Sequence, residues 1–199
     1  MGDKIIGFDL DGVLLSNTYF KRKKLMELYG MQCEEWMLNS NVIDDYVTDV
    51  DVRHHVGRLA GTSQNDRFVD GSTITYLEKI KALGWTMVII SRRGKSPEGH
   101  MMAQKSIECL GIADYFENVY FCASEKDKIA TIKKLGVNIF VDDRIEVVTE
   151  ISNQIEQAVL FDPFKLVKRN ILKCDSSIIV INDFFTIYQE VLKYEQHLV

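Results

Sequence analysis

Residues 4–14 read KIIGFDLDGVL, and the rest of the chain is organised around this stretch. Ile5, Ile6 and Phe8 form the apolar run of a strand buried on both faces. The run stops at two carboxylates one residue apart, Asp9 and Asp11. Gly12 follows at once and supplies backbone freedom for a sharp exit, which presents both acids in the crevice outside the carboxyl end of a parallel sheet. Because the chain turns here, the two side chains need not point the same way: one can attack while the other handles protons. Taken alone, D-x-D-G is equally an acidic turn that contains a glycine. The balance shifts because further features follow in order, each at the end of another apolar strand.

With 199 residues, 46% hydrophobic and 27% charged, the chain has the apolar content for one well-filled core, so one domain with a small insertion is expected. The formal net charge of -5 argues against long nucleic acid as a partner but leaves room for a local basic pocket around a small phosphate. Cys33, Cys109, Cys122 and Cys174 are widely separated and form no C-x-x-C pair, so they read as buried reduced thiols rather than disulfides or a zinc site. The sequence enters a strand almost at once, without a basic and apolar leader, and no apolar run approaches the roughly 20 residues of a membrane span. A soluble cytoplasmic protein with no membrane partner is the expectation.

Residues 16–71 lack a strong strand. Tyr19, Phe20, Leu25, Met26, Leu28 and Tyr29 recur at helical spacing, with the basic KRKK of residues 21–24 on the other positions. EEWML and NVIDDYVTDVDVRHHVGRLA read as further short helices. Too long for a loop, the segment reads as a small helical cap subdomain inserted after the first strand, leaving 1–15 and 72–199 as the core. From residue 72 the pattern is regular. Helices are predicted over 73–83, 98–110 and 128–135, ended by Gly84, Gly111 and Gly136, and again over 145–154 and 183–194. Strands are predicted over 85–90, 119–122, 137–141, 158–161 and 178–181. Such alternation implies right-handed crossovers and an α/β fold: a Rossmann-like, doubly wound, mainly parallel sheet.

The second strand ends at Ser91, followed by Arg92, Arg93 and Gly94. A hydroxyl and backbone N–H groups at a strand's mouth can hold phosphate oxygens without adding negative charge, so Ser91, with Arg92 beside it, is the candidate anchor. The fourth strand, NIFVDDR, ends in Asp142 and Asp143 with Glu146 close by. Beside Asp9 and Asp11 these make an oxygen-rich site for a hard cation such as Mg2+, since clustered like charges are costly without one. Between them, SEKDKIATIKKLG places Lys126 and Lys128 at a helix start, where an ammonium can neutralise a carboxylate and a phosphoryl oxygen together. Lys128 is favoured because it directly precedes the apolar helical positions; Lys126 is the alternative.

The ordered set FDLDGVL, IIS, a helix-leading lysine and FVDDR resembles the haloacid dehalogenase superfamily of phosphohydrolases over residues 4–158. A dehalogenating enzyme would not need the second aspartate, so Asp11 points to the phosphatase branch. The resemblance implies a magnesium-dependent phosphomonoester hydrolase in which Asp9 is the nucleophile that forms an aspartyl-phosphate and Asp11 is the general acid and base. It also implies Mg2+ held by Asp9, the backbone carbonyl of Asp11, Asp142 and Asp143, with Ser91 and Lys128 on the phosphoryl group.

Residues 16–71 occupy the place of a cap that selects the leaving group. The insertion, DGV and VDDR together are similar to the 5'(3')-deoxyribonucleotidase branch. A nucleotide substrate calls for an aromatic to stack on the base, and Tyr19, Phe20 and Trp36 are available. His54 and His55 read as cap surface, with Arg53 or Arg58 turned toward an anionic substrate. The order VIISRR then FVDDR also resembles the 3'-phosphatase domains of polynucleotide end-processing enzymes, which the acidic charge disfavours, and sugar phosphates remain open. A phospho-acceptor signalling module is disfavoured by the insertion and by D-x-D-G at the first strand. A catalytically silent scaffold is disfavoured by retention of every expected group.

Overall fold

The computed structural model describes residues 4–93 and 96–197, so Gly94 of the expected phosphate loop lies outside the described residues. Six strands form one all-parallel sheet in the order β3-β2-β1-β4-β5-β6. They are β1 (Ile5–Phe8), β2 (Thr86–Ser91), β3 (Asn118–Phe121), β4 (Ile139–Asp142), β5 (Gln157–Phe161) and β6 (Ile179–Ile181). The connections carry α1 (Asn17–Tyr29), α2 (Ile43–Tyr46), α3 (Val50–Gly61), α4 (Thr73–Ala82), α5 (Pro97–Cys109), α6 (Glu125–Leu135), α7 (Ile145–Ile151) and α8 (Phe184–His197). From β1 the chain steps outward through β2 to β3, then returns to lay β4 on the other side of β1. That reversal puts the switch point of this doubly wound α/β fold at the carboxyl ends of β1 and β4, where open sheets of this kind bind ligands.

Strand periodicity divides the sheet between two cores. Ile6, Phe8, Met87, Ile89, Ile139 and Val141 point to the face covered by α4, α5 and α8, where Leu77, Ile107 and Phe184 are buried. Val88, Ile90, Phe140 and Leu160 point to the other face, under α6 and α7, with Ile129, Ile132, Val147 and Val148. Gly7 belongs to this second face, and the Phe140 ring fills the space above it: a Cβ at Gly7 would lie 2.7 Å from that ring. Helix α6 begins before residue 128 because Ser124 caps it, its Oγ accepting from Asp127 N at 3.1 Å. Of the four cysteines only Cys122 is buried; Cys109 is exposed, unlike the buried thiol expected there.

Residues 16–71 carry a separate apolar cluster of Leu25, Leu38, Val47 and Val56. The two ends of the segment are hydrogen-bonded to each other, Ser16 N to Arg67 O at 2.8 Å and Val69 N to Leu14 O at 3.2 Å. Helix α1 reverses the expected amphipathic reading. Its buried residues are Thr18, Lys21 and Leu25, while Met26, Leu28 and Tyr29 are exposed. The buried face of α1 is mixed: Leu25 joins the apolar cluster with Leu38, while Lys21 donates to Leu38 O and feels the charges of Asp143 and Asp11. The EEWML stretch is a 3-10 turn, Glu35–Leu38, rather than an α-helix.

Candidate active site

The two-residue period that buries Ile6 and Phe8 on one face sends Asp9 to the other, the face of Gly7. By the same period Asp142 follows Phe140, and β4 lies directly beside β1. Both carboxylates thus arrive under α6, whose buried stripe is Lys128, Ile129 and Ile132. Lys128 Nζ stands 2.6 Å from Asp9 Oδ1 and 2.7 Å from Asp142 Oδ2, and 5.3 Å over the Phe140 ring. Lys126 is exposed, so of the two lysines it is Lys128 that stands against Asp9 and Asp142. Asp143 is buried at the next position, and carboxylate oxygens of Asp9, Asp142 and Asp143 all lie within 4.8 Å of one another. Gly12 makes room for this cluster. Its φ is +91°, and a Cβ there would lie 2.3 Å from Asp143 Oδ2.

Three buried carboxylates therefore stand together, two of them paired with the Lys128 ammonium. Burial, followed by the charges of Asp142 and Asp143, pushes Asp9 up to about 8 against the pull of Lys128. Burial and then Asp142 push Asp143 up to about 7. For Lys128 burial works against the charge, but Asp142 and Asp9 outweigh it and hold its pKa above the ordinary lysine value. The surplus of hard oxygen donors over cations fits a divalent cation such as Mg2+.

Asp11 turns away from the cluster. Its Oδ2 faces Arg93 Nε at 3.5 Å, and its Oδ1 is buried without a hydrogen-bond partner among the described residues. Burial raises its pKa, with Arg93, Lys21 and Lys128 opposing. Arg93 is anchored on the carbonyl end of α3, donating to Ala60 O at 2.8 Å, to Gly61 O at 3.3 Å and to Ser63 O. Ser91 is buried and outside the cavity wall, its Oγ accepting from Arg93 N at 3.2 Å. The hydroxyl thus ties down the start of the loop after β2. Arg92 lines the cavity but is paired with Glu125 at 2.6 Å, and Glu125 also binds Arg144. Glu146 is exposed on the outer side of α7 and pairs with Arg144 at 3.6 Å, so it is not part of the carboxylate cluster.

Asp9, Asp11, Lys128 and Asp143 open into a cavity of about 890 Å³ whose other wall is built from residues 16–71, including Asn17, Lys21, Ser40 and the Arg53–Thr62 face of α3. No Phe, Tyr or Trp lines it among the described residues. Tyr19 instead lies 4.3 Å from the Arg67 guanidinium, Phe20 sits 5.7 Å from Lys24, and Trp36 packs edge-on to Tyr46 with Arg169 over its ring. His54 lines the cavity, whereas His55 Nδ1 and Tyr29 OH share a hydrogen bond at 2.5 Å. Sequence reasoning missed Lys21, read as part of the basic KRKK on the non-apolar positions of α1, and it missed Ser40 and Asn41. Ser40 Oγ donates to Asp143 Oδ2 at 2.7 Å; Asn41 donates to Asp143 O at 2.6 Å and accepts from Ile145 N at 3.0 Å. The one local signal for the latter pair was a polar N-S-N run, residues 39–41, between apolar turns.

No protein-family model matches the sequence, and no curated protein sequence does. Solved structures do match. A beta-phosphoglucomutase from Clostridium difficile superposes with a TM-score of 0.60 at 16% identity, over 99% of each chain. A predicted phosphoglycolate phosphatase from Haemophilus somnus 129pt gives 0.58 at 17% identity, over 95% of this chain and 98% of that one. An L-2-haloacid dehalogenase from Xanthobacter autotrophicus gives 0.54 at 14% identity, over 96% and 99%. Nothing among these matches singles out a nucleotidase. The chain has the Rossmann-like fold of the haloacid dehalogenase-superfamily hydrolases.

Proposed function

We propose that the protein is a magnesium-dependent phosphomonoester hydrolase that works through an aspartyl-phosphate on Asp9. The observation that carries this reading is the buried set of Asp9, Asp142 and Asp143 around Lys128, with Asp11 turned aside toward Arg93 at the mouth of the same strand. A dehalogenase needs an attacking carboxylate but neither a three-carboxylate cation site nor a second aspartate, so the arrangement favours phosphoryl transfer.

Asp9, Asp142 and Asp143, with the backbone carbonyl of Asp11, would hold Mg2+, which when bound neutralises charge on the phosphoryl oxygens and the carboxylates. Asp9 attacks phosphorus as the bond to the leaving oxygen breaks. Lys128 keeps the Asp9 carboxylate oriented and offers its charge to the phosphoryl oxygens. Asp11 donates a proton to the leaving oxygen, which its raised pKa favours, and then takes one from the water that cleaves the aspartyl-phosphate. Residues 16–71 wall the cavity opposite Asp9 and so would choose the leaving group.

The substrate is a small phosphate ester. Among the described residues no aromatic face lines the cavity, which counts against the nucleoside monophosphate expected from the sequence, because a base would have none of them to stack on. The test is phosphate release from an aryl phosphate and a panel of nucleotides and sugar phosphates, with and without Mg2+. Activity that disappears in Asp9→Asn and on chelation supports the reading; activity that survives Asp9→Asn removes it.

A further inference from the structure

Once Lys128 is matched with Asp9 and Asp142, and Arg93 with Asp11, two cations on the wall built from residues 16–71 have no ion pair among the described residues. Lys21 and Arg58 both line the cavity, and neither pairs with a carboxylate among the described residues. Lys21 is only 8% exposed, and the one hydrogen bond of its ammonium among the described residues is a 3.3 Å contact to Leu38 O, so donors are left over toward the cavity, where the charges of Asp143 and Asp11 also act on it. A buried ammonium held that weakly costs stability unless another acceptor reaches it.

The neighbouring arginines are already engaged. Arg53 binds Asp44 at 2.9 Å and Val47 O at 2.6 Å, while Arg92 and Arg144 share Glu125. Gly57 and Gly61 lie on the same wall, and a Cβ at either would meet nothing within 4 Å, so there is open space beside Arg58.

We propose that Lys21 and Arg58 form a subsite for a second anionic group, so that the substrate is a phosphate monoester whose leaving group itself carries a carboxylate or a further phosphate. This deepens the hydrolase reading above and rests on it for the identity of the transferred group. A leaving group with a negative charge of its own occupies the free donors of Lys21, and its repulsion from Asp11 and Asp143 is offset by the two cations. A neutral leaving group brings no anionic acceptor to Lys21.

The experiment compares matched pairs: 3-phosphoglycerate with glycerol 3-phosphate, and fructose 1,6-bisphosphate with fructose 1-phosphate. Binding to Mg2+-loaded Asp9→Asn is measured by calorimetry and kcat/KM on the wild-type protein. The expected result is that the more anionic member binds at least about tenfold tighter, and that this ratio falls toward one in Lys21→Met and in Arg58→Gln. Whichever pair shows the larger ratio tells carboxylate from phosphate. Because Arg58 is exposed, Arg58→Gln reports even if Lys21→Met fails to fold. Equal binding of both members, no binding of either, or a preference untouched by both substitutions overturns the subsite. If the wild type hydrolyses every ester without preference, the hydrolase reading stands and the subsite falls. If it hydrolyses none while the binding preference persists, the subsite stands and the hydrolase reading falls.

Discussion

The two ends of the same parallel strands treat charge in opposite ways. At the amino end, Lys4 before β1 binds Glu195 of α8 at 2.6 Å and Leu83 O at 3.2 Å, and Trp85 Nε1 donates to the same Glu195 oxygen at 2.6 Å. Asn138 before β4 accepts from Ile5 N at 2.8 Å and donates to Glu156 at 3.0 Å, and Tyr194 OH donates to the other oxygen of Glu156. Each carboxylate there meets donors. At the carboxyl end, three carboxylates crowd within 4.8 Å of one another, two of them on one lysine, and Asp11 keeps a buried oxygen without a partner among the described residues. One end is arranged to close the fold, while the other keeps a charge surplus that a cation and a phosphoryl group would relieve.

The contrast can be broken most severely at Asp9. Asp9→Asn is expected to lower phosphate release by about 10³-fold or more in a steady-state assay. Its metal-free melting temperature should stay level or rise, since one of three crowded charges is gone. A fall in both would mean that the cluster is structural.

Lys128→Met should abolish activity and also destabilise the metal-free protein by about 3–5 kcal/mol in urea denaturation, because it strands buried carboxylates. A loss under about 1 kcal/mol would show that the cluster is already neutral without its lysine.

Mg2+ should stabilise the wild type by about 2.7 kcal/mol at a concentration 100 times its Kd, read as a shift in melting temperature, and the shift should shrink in Asp143→Asn. A shift that is unchanged in that variant would place the cation elsewhere.

At the amino end the sharpest expectation concerns pH. Burial and the bond to Glu156 raise Tyr194 to about 12 from a value of 10.0. The folded state therefore favours the protonated phenol, and its stabilisation is fully present below pH 10 and is lost as pH rises toward 12. The loss should be on the order of 2 kcal/mol in urea melts and smaller in Tyr194→Phe. Smallest of all is the Lys4–Glu195 pair, partly exposed, where Glu195→Gln should cost at most about 1 kcal/mol and leave hydrolysis unchanged.

Which parts of this were legible beforehand follows from the range of the forces. The alternating strands and helices, and with them the parallel α/β sheet, could be read because hydrophobic period is a local property of the chain. Asp9, Asp11, Asp142 and Asp143 could be located because each stands where an apolar run stops, and a parallel sheet collects such stops at one edge. Lys128 could be narrowed to two residues, and only the helical phase of α6, set by the Ser124 cap, chose between them.

The tertiary structure decided what lies across from those strand ends. Lys21 sits in a run of four basic residues on the non-apolar positions of α1, yet it is buried because α1 packs on the 3-10 turn and α3, where its ammonium meets Leu38 O. Ser40 and Asn41 reach Asp143 across about a hundred residues of chain, and Arg93 ties the end of α3 to Asp11. Sequence by itself determined which strand ends carry charge, since that follows from local periodicity. How the charges are matched, and which cations are left over, depends on distances between segments remote in sequence, and those distances exist only once the chain has folded.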